Sequence, residues 1–192
     1  MSRRLGILGG AFDPIHYGHL LLAAEAHYQL ELDKVLFMPT FKSAHKHKEI
    51  GTPYQHRLAM LKLALAKQPE FAITEIEKKL GDISYTVKSL AALHQEQPEA
   101  EFFFLVGADN VEQLKTWFEP ERLTELATLA VVARPGHQLP IGLSEKVVKV
   151  EMPLIEISAS AIRGRVKSGA SIRFWTPREV EDYIASEGLY CG

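Results

Sequence analysis

Leu5-Gly6-Ile7-Leu8 runs directly into Gly9-Gly10-Ala11-Phe12-Asp13-Pro14-Ile15-His16-Tyr17-Gly18-His19, and a segment of helical period starts at once, with Leu22, Ala23, Ala26 and Leu30 along one face. A short apolar run, a glycine-paired loop and a helix form the opening of a βα unit. The same alternation continues outward. Lys34 to Met38, Phe71 to Ile76, Glu101 to Val106 and Thr128 to Ala133 read as further strands. Helical faces marked by Leu58, Leu61 and Leu65, and by Val87, Leu90 and Leu93, lie between them.

Parallel strands need crossover connections that lay helices on the sheet. The fold class predicted is therefore α/β: a doubly wound, mostly parallel, Rossmann-like sheet with C-terminal helices. Pro135 to Pro140 reads as a loop before a last short strand near Val147 to Val150. A helix over Ser160 to Lys167 stops at Ser168-Gly169, where glycine can take the left-handed closing conformation. Another starts at Thr176-Pro177, read as a Thr N-cap with Pro at the first helical position, and runs to about Ser186 before Gly188. No internal repeat interrupts the pattern. The expected organisation is one domain over residues 1–192, with a helical C-terminal segment at about 158–188.

Composition narrows the function classes. Of the 192 residues, 46% are apolar and 24% charged, which is ordinary for a folded globular chain. The 22 Lys and Arg nearly balance the 24 Asp and Glu, so no overall field is expected to hold nucleic acid or an anionic membrane. An anionic ligand must meet a local cluster of cations. The single cysteine, Cys191, can form no internal disulfide and no Cys-rich metal site, which points to a reducing, cytoplasmic setting. The apolar run after Arg4 falls far short of a secretory core, and no run elsewhere approaches a membrane span.

In an open α/β sheet ligands bind beyond the carboxyl ends of the strands, so the loop after the first strand matters most. It lacks the Gly-Lys-Ser/Thr ending of a P-loop and the G-x-G-x-x-G of a dinucleotide fingerprint. It offers instead a paired glycine for close backbone approach and a His16-Tyr17-Gly18-His19 step at a helix start, where free N–H groups and the dipole favour an anion. Two histidines three apart share a face, and Gly18 leaves room for a bulky ligand, so both imidazoles can donate to phosphate oxygens. Two solvent-facing histidines would give the same spacing; the position after strand one, behind Gly9-Gly10, favours phosphate. A metal site is a third reading, without an obvious third ligand nearby.

Two further clusters carry charge or hydroxyls. His45-Lys46-His47-Lys48 follows strand two, and reads either as a phosphate-facing loop or as a solvated charged one. Ile157-Ser158-Ala159-Ser160-Ala161-Ile162-Arg163 places hydroxyls and N–H groups at a helix start with Arg one turn in, a second phosphate cradle or an ordinary Ser cap. Two phosphate-ready helix starts suit a polyphosphate.

The pairing of the Gly9-to-His19 loop with Ile157-to-Arg163 resembles the nucleotidyltransferase superfamily and its HxGH and ISSTxIR signatures. Within it the chain is similar to the bacterial nicotinate mononucleotide adenylyltransferases, from Leu5 to Gly188-Leu189-Tyr190. Ser84-Tyr85-Thr86, Val106-Gly107-Ala108-Asp109, Trp117 and Arg134-Pro135-Gly136 carry the finer likeness. Three positions depart from the family: Ala11 where Thr or Ser is usual, Ser43-Ala44 where Pro-Pro is common, and Ser160 for Thr.

That resemblance implies transfer of AMP from ATP to nicotinate mononucleotide, giving nicotinate adenine dinucleotide and pyrophosphate in NAD biosynthesis. His16, His19, Lys46 and Arg163 would be catalytic. ATP would be bound by Gly9, Gly10, Ala11, Phe12, His16, His19, Gly107, Asp109, Ser158, Ser160, Ile162 and Arg163. The mononucleotide would meet His45, Lys46, Ser84, Tyr85, Thr86, Trp117 and Arg134. Mg²⁺ would be held mainly by phosphate oxygens, with no protein metal ligands expected. Without the resemblance, Asp109 and Ser84 read equally as helix caps and Trp117 as a core residue. A sibling acting on nicotinamide mononucleotide or phosphopantetheine would share both signatures, and a non-catalytic ATP sensor is the alternative from another class. No nucleic-acid or membrane partner is expected, and the sequence leaves a homo-oligomer open.

Overall fold

The computed structural model describes residues 2–43, 51–107, 114, 116–133, 146–153 and 155–192. Six strands form one sheet: β1 Arg4–Gly10, β2 Lys34–Pro39, β3 Phe71–Ile73, β4 Glu101–Gly107, β5 Thr128–Ala133 and β6 Val147–Glu151. All pairings are parallel and the order is β3-β2-β1-β4-β5-β6. Among the described residues the helices are α1 Tyr17–Gln29, α2 Tyr54–Leu65, α3 Ile76–Leu80, α4 Thr86–Glu96, α5 Pro120–Leu126, α6 Ala159–Lys167 and α7 Arg178–Ser186.

The sheet is buried on both sides, and alternation along the strands sorts side chains between two cores. Phe103 and Leu105 join Leu8, Ala23, Ala26, Leu61, Ile162, Val180 and Ile184 on the face covered by α1, α2, α6 and α7. Phe102, Phe104 and Val106 join Leu5, Ile7, Ile76, Leu90, Leu93 and Leu123 on the face covered by α3, α4 and α5. A central parallel strand therefore reads as a continuous apolar run, as the Phe102-to-Val106 stretch does. The C-terminal helices share the first core with the sheet.

Strand order reverses between β1 and β4. Connections from the two strands leave in opposite directions, opening a crevice at their carboxyl ends, where Gly10 and Gly107 lie.

The structure departs from the sequence reading in four places. Strand three ends at Ile73 rather than Ile76: the Thr74 hydroxyl accepts from the Ile76 N–H at 3.3 Å, the chain turns, and α3 carries Ile76 into the second core. Helix α5, with Pro120 in its first turn, was not anticipated. Helix α6 begins at Ala159, one residue earlier than expected, and Gly169 closes it at φ 73° as expected. Thr176 does not cap α7. Pro177 occupies that position, and the buried Thr176 hydroxyl donates to the Ile15 carbonyl at 2.8 Å. The expected loop from Pro135 to Pro140 lies outside the described residues.

Candidate active site

His16 sits at the N-cap of α1 with extended backbone, φ −150° and ψ 169°, so its side chain swings back beside that of His19 one turn on. The two imidazoles stack, with centroids 3.7 Å apart and planes 28° from parallel. Phe12 seats the pair: its ring, 1% exposed, meets His19 edge-on at 5.0 Å and Phe37 at 5.6 Å. Gly18 gives room to the His16 ring. A Cβ there would lie 3.0 Å from His16 Nδ1, so a larger residue would push the His16 ring off its place on the helix start.

The electrostatics follow from burial. Desolvation pushes the His16 imidazole down to about 4 from its ordinary 6.5. His19 is also held low, first by burial and then by the charge of His16. Both rings are neutral near pH 7, and the Nδ1 atom of each is buried without a hydrogen-bond partner. A buried lone pair is tolerated better than a buried orphan N–H. The protons therefore belong on Nε2, giving two neutral donors. Backbone donors contribute less than expected here, since the Tyr17 N–H donates to the Trp175 carbonyl at 3.1 Å and the His19 N–H to the His16 carbonyl at 3.0 Å.

The second cluster comes to the first. The Ile157 carbonyl lies 3.5 Å from where a Gly18 Cβ would stand, and the Arg163 Nη1 donates to the Asp13 carbonyl at 2.7 Å. Ser158 is a true N-cap, accepting from the Ala161 N–H at 3.2 Å, and its exposed hydroxyl lies 3.1 Å from that of Ser160. Ile162 and Phe12, both expected beside ATP, bury their side chains in the core, which leaves only their backbone for a ligand. Gly9, Gly10 and Ala11 line the exit of β1, and Gly107 ends β4 across the crevice.

Across that crevice the Ser84 hydroxyl accepts from the Phe41 and Lys42 N–H groups, both at 3.2 Å, and its own N–H donates to the Lys42 carbonyl at 2.9 Å. Ser84 is thus tied to the loop after β2. Tyr85 is the N-cap residue of α4 and packs on Phe118 at 4.6 Å, leaving Thr86 as the first residue of the helix. Trp117 meets Phe104 edge-on at 6.0 Å, and its indole N–H is buried with no partner. His45, Lys46, Asp109 and Arg134 lie outside the described residues.

A cytidylyltransferase-like family model matches residues 7–165. A nicotinate-nucleotide adenylyltransferase of Thermomicrobium roseum is 46% identical, over 97% of this chain and 91% of its own length. One of Thermus thermophilus is 44% identical, over 97% and 99%. The chain belongs to the nicotinate-nucleotide adenylyltransferase family. A solved structure of Plasmodium falciparum nicotinic acid mononucleotide adenylyltransferase, complexed with NaAD, superposes with a TM-score of 0.83 at 19% identity, covering 98% of this chain and 97% of that one. At that identity the likeness speaks to the fold.

Within this adenylyltransferase scaffold, the sequence reading missed the residues that hold the loops. Arg57 is 2% exposed, yet its guanidinium donates to three carbonyls, of Ala11 at 2.7 Å, Thr40 at 2.8 Å and Thr52 at 3.1 Å. Buried Glu77 accepts from the Phe41 N–H at 3.0 Å. The Tyr190 hydroxyl donates to Asp13 Oδ1 at 2.7 Å, and burial together with that carboxylate pushes its ionisation far up. A signal existed for Arg57: it lies three residues after Tyr54 and four before Leu61, in the apolar stripe of α2.

Nucleotidyltransferases in general use a divalent metal. Among the described residues, no group of three His, Cys, Asp or Glu side chains could hold one. Also among the described residues, no helix is long and apolar enough to cross a membrane.

Proposed function

We propose that this chain transfers the adenylyl group of ATP to nicotinate mononucleotide, forming nicotinate adenine dinucleotide and pyrophosphate, as a step of NAD biosynthesis in the cytoplasm. The whole chain acts as one nucleotidyltransferase domain. The reading rests on one observation above the others: two neutral, stacked imidazoles at the carboxyl end of β1, beside the switch point, with the Ile157 carbonyl ahead of α6 close to Gly18 between them.

The chemistry needs no protein nucleophile. A phosphate oxygen of the mononucleotide attacks the α-phosphorus of ATP. The new P–O bond forms as the bond to the β-phosphate bridging oxygen breaks, and pyrophosphate leaves with that electron pair. The protein must align two anions that repel one another and meet charge as it develops. His16 and His19 donate from Nε2 to phosphate oxygens without the desolvation cost of buried cations. Arg163 and Lys46 supply positive charge, and Ser158 and Ser160 hold the triphosphate at the start of α6. Gly107 and Asp109 line the adenosine site. A divalent cation such as Mg²⁺, if brought in by the substrate phosphates, would offset part of their charge.

On the acceptor side, His45, Lys46 and Arg134 meet the mononucleotide's phosphate, Trp117 stacks on its ring, and the α4 start receives its carboxylate. The Ser84 and Tyr85 N–H groups are spent on the Lys42 and Ile83 carbonyls, so Thr86 is the first amide of that start available to a ligand. The orphaned Trp117 indole N–H supports a ligand in this region.

A panel of acceptors tests the proposal. Purified protein with ATP should release pyrophosphate fastest with nicotinate mononucleotide and yield the dinucleotide on chromatography. Equal or better turnover with nicotinamide mononucleotide or phosphopantetheine moves the assignment to a sibling. ATP binding without pyrophosphate release makes the chain a sensor.

A further inference from the structure

The Thr40–Phe41 peptide group, at the point where the chain leaves β2, is held from both sides by buried charges. The Arg57 guanidinium donates to its carbonyl at 2.8 Å, and Glu77 accepts from its N–H at 3.0 Å. Arg57 is 2% and Glu77 5% exposed, so neither bond competes with water. The same guanidinium reaches the Ala11 carbonyl at 2.7 Å, in the loop that leads to His16. Its third carbonyl, on Thr52, fixes it to the base of α2, and the Tyr54 ring lies 5.4 Å beneath it. Glu77 is placed by the core contacts of α3 and braced by the Ser89 hydroxyl at 3.4 Å. A planar guanidinium presents donors in a fixed fork, so the carbonyls it joins keep a fixed separation.

We propose that Arg57 is a positioning residue that sets the spacing between the two substrate loops, with Glu77 as the opposing hand on the Thr40–Phe41 peptide. The loop after β1 carries the histidine pair, and the loop after β2 leads into His45 and Lys46. This inference rests on the adenylyl-transfer reading, in which the first loop holds ATP and the second its acceptor. Arg57 touches neither substrate. It fixes the distance across which the attacking oxygen must approach phosphorus, where a displacement of about 1 Å can cost on the order of 10²-fold in rate.

Arg57→Lys keeps the charge but offers one compact head instead of a fork. The variant should fold, bind ATP and nicotinate mononucleotide separately with affinities within about threefold of wild type by calorimetry, and lose on the order of 10²-fold in kcat. Unchanged kcat per folded molecule, or a large loss of affinity for one substrate alone, overturns the proposal. Glu77→Leu and Glu77→Gln serve even where Arg57→Lys does not fold. The glutamine keeps an acceptor for the Phe41 N–H and should restore kcat that the leucine loses; equal kcat in the two sinks the clamp. Hydrogen exchange judges the inference apart from the reaction. The destabilised clamp in Arg57→Lys, or failing that in Glu77→Leu, should speed exchange in the segments spanning 9–13 and 40–43 together. A change confined to the segment spanning 40–43, or none, overturns the coupling. Wild-type protein that forms no dinucleotide overturns the functional reading, and the exchange result still decides this one.

Discussion

Replacing Tyr190 with Phe removes one oxygen atom and leaves the ring in place. That hydroxyl is the donor of a 2.7 Å bond to the carboxylate of Asp13, a residue 6% exposed in the loop that carries the histidine pair. A hydrogen bond to a charged, buried acceptor contributes roughly 1.5–3 kcal/mol, and its loss also leaves a carboxylate oxygen unpaired. For a chain of this length each kcal/mol moves the melting temperature by roughly 2–4 °C. Tyr190→Phe should therefore melt about 3–12 °C lower. Because the Asp13 backbone carbonyl is also what Arg163 Nη1 grips, at 2.7 Å, the variant should lose kcat well below its melting point as well. Calorimetric melts and initial rates at 25 °C check both. A melting temperature within 1 °C of wild type would show that the last turn of the chain does not secure the catalytic loop.

His19→Ala removes a donor aimed at charge that grows in the transition state, so kcat should fall on the order of 10²–10³-fold with the melt preserved; near wild-type turnover would end the assignment. Arg163→Ala should weaken ATP and pyrophosphate by roughly 1.5–3 kcal/mol in calorimetry and the mononucleotide far less, and equal weakening would misplace it. Acid should destabilise the fold through the histidine pair. His16 is depressed to about 4 in the folded state, so the unfolded chain takes up its proton first as pH drops below 6.5. Its contribution is complete above that value and lost as pH falls to about 4, amounting to about 2 kcal/mol between pH 7.5 and 5. Urea melts at the two pH values should show that difference shrink in His16→Asn, and an unchanged pH dependence would contradict it. Thr86→Pro, which deletes one N–H at the α4 start, should narrow the preference for the acid mononucleotide over the amide, with a melt to exclude damage to the helix.

What was legible in the sequence was what periodicity encodes. The buried run from Phe102 to Val106, the βα opening at Leu5 and the faces of α2 and α4 led to the parallel sheet, because tertiary burial and local pattern agree there. The His16–His19 step and the Ile157–Arg163 segment could be named as partners through resemblance, although they are distant in sequence. Short elements escaped: α3 is five residues, held by Ile76 in the core rather than by any sustained period. The Thr176 cap failed because the helix starts one residue later, with Pro177 at the N-cap, and the buried Thr176 hydroxyl is turned to donate to the Ile15 carbonyl. The clamps at Arg57 and Glu77 act on backbone groups of distant loops and that at Tyr190 on the Asp13 carboxylate, and no spacing within the sequence reports bonds of that kind. The contact of the His16 ring with Gly18 was not legible, because it depends on the extended backbone at His16.

The most direct measurement follows the phosphorus. Protein incubated with nicotinate mononucleotide and ATP labelled at the α-phosphate, in parallel with ATP labelled at the γ-phosphate, is separated into protein, dinucleotide and pyrophosphate. In-line transfer between substrates held by His16 and His19 puts the α-label in nicotinate adenine dinucleotide and the γ-label in pyrophosphate, with no label on the protein at any time and both products formed on the order of 10²–10³-fold more slowly in His19→Ala. Label retained on the protein, α-label absent from the dinucleotide, or undiminished products from His19→Ala would contradict it.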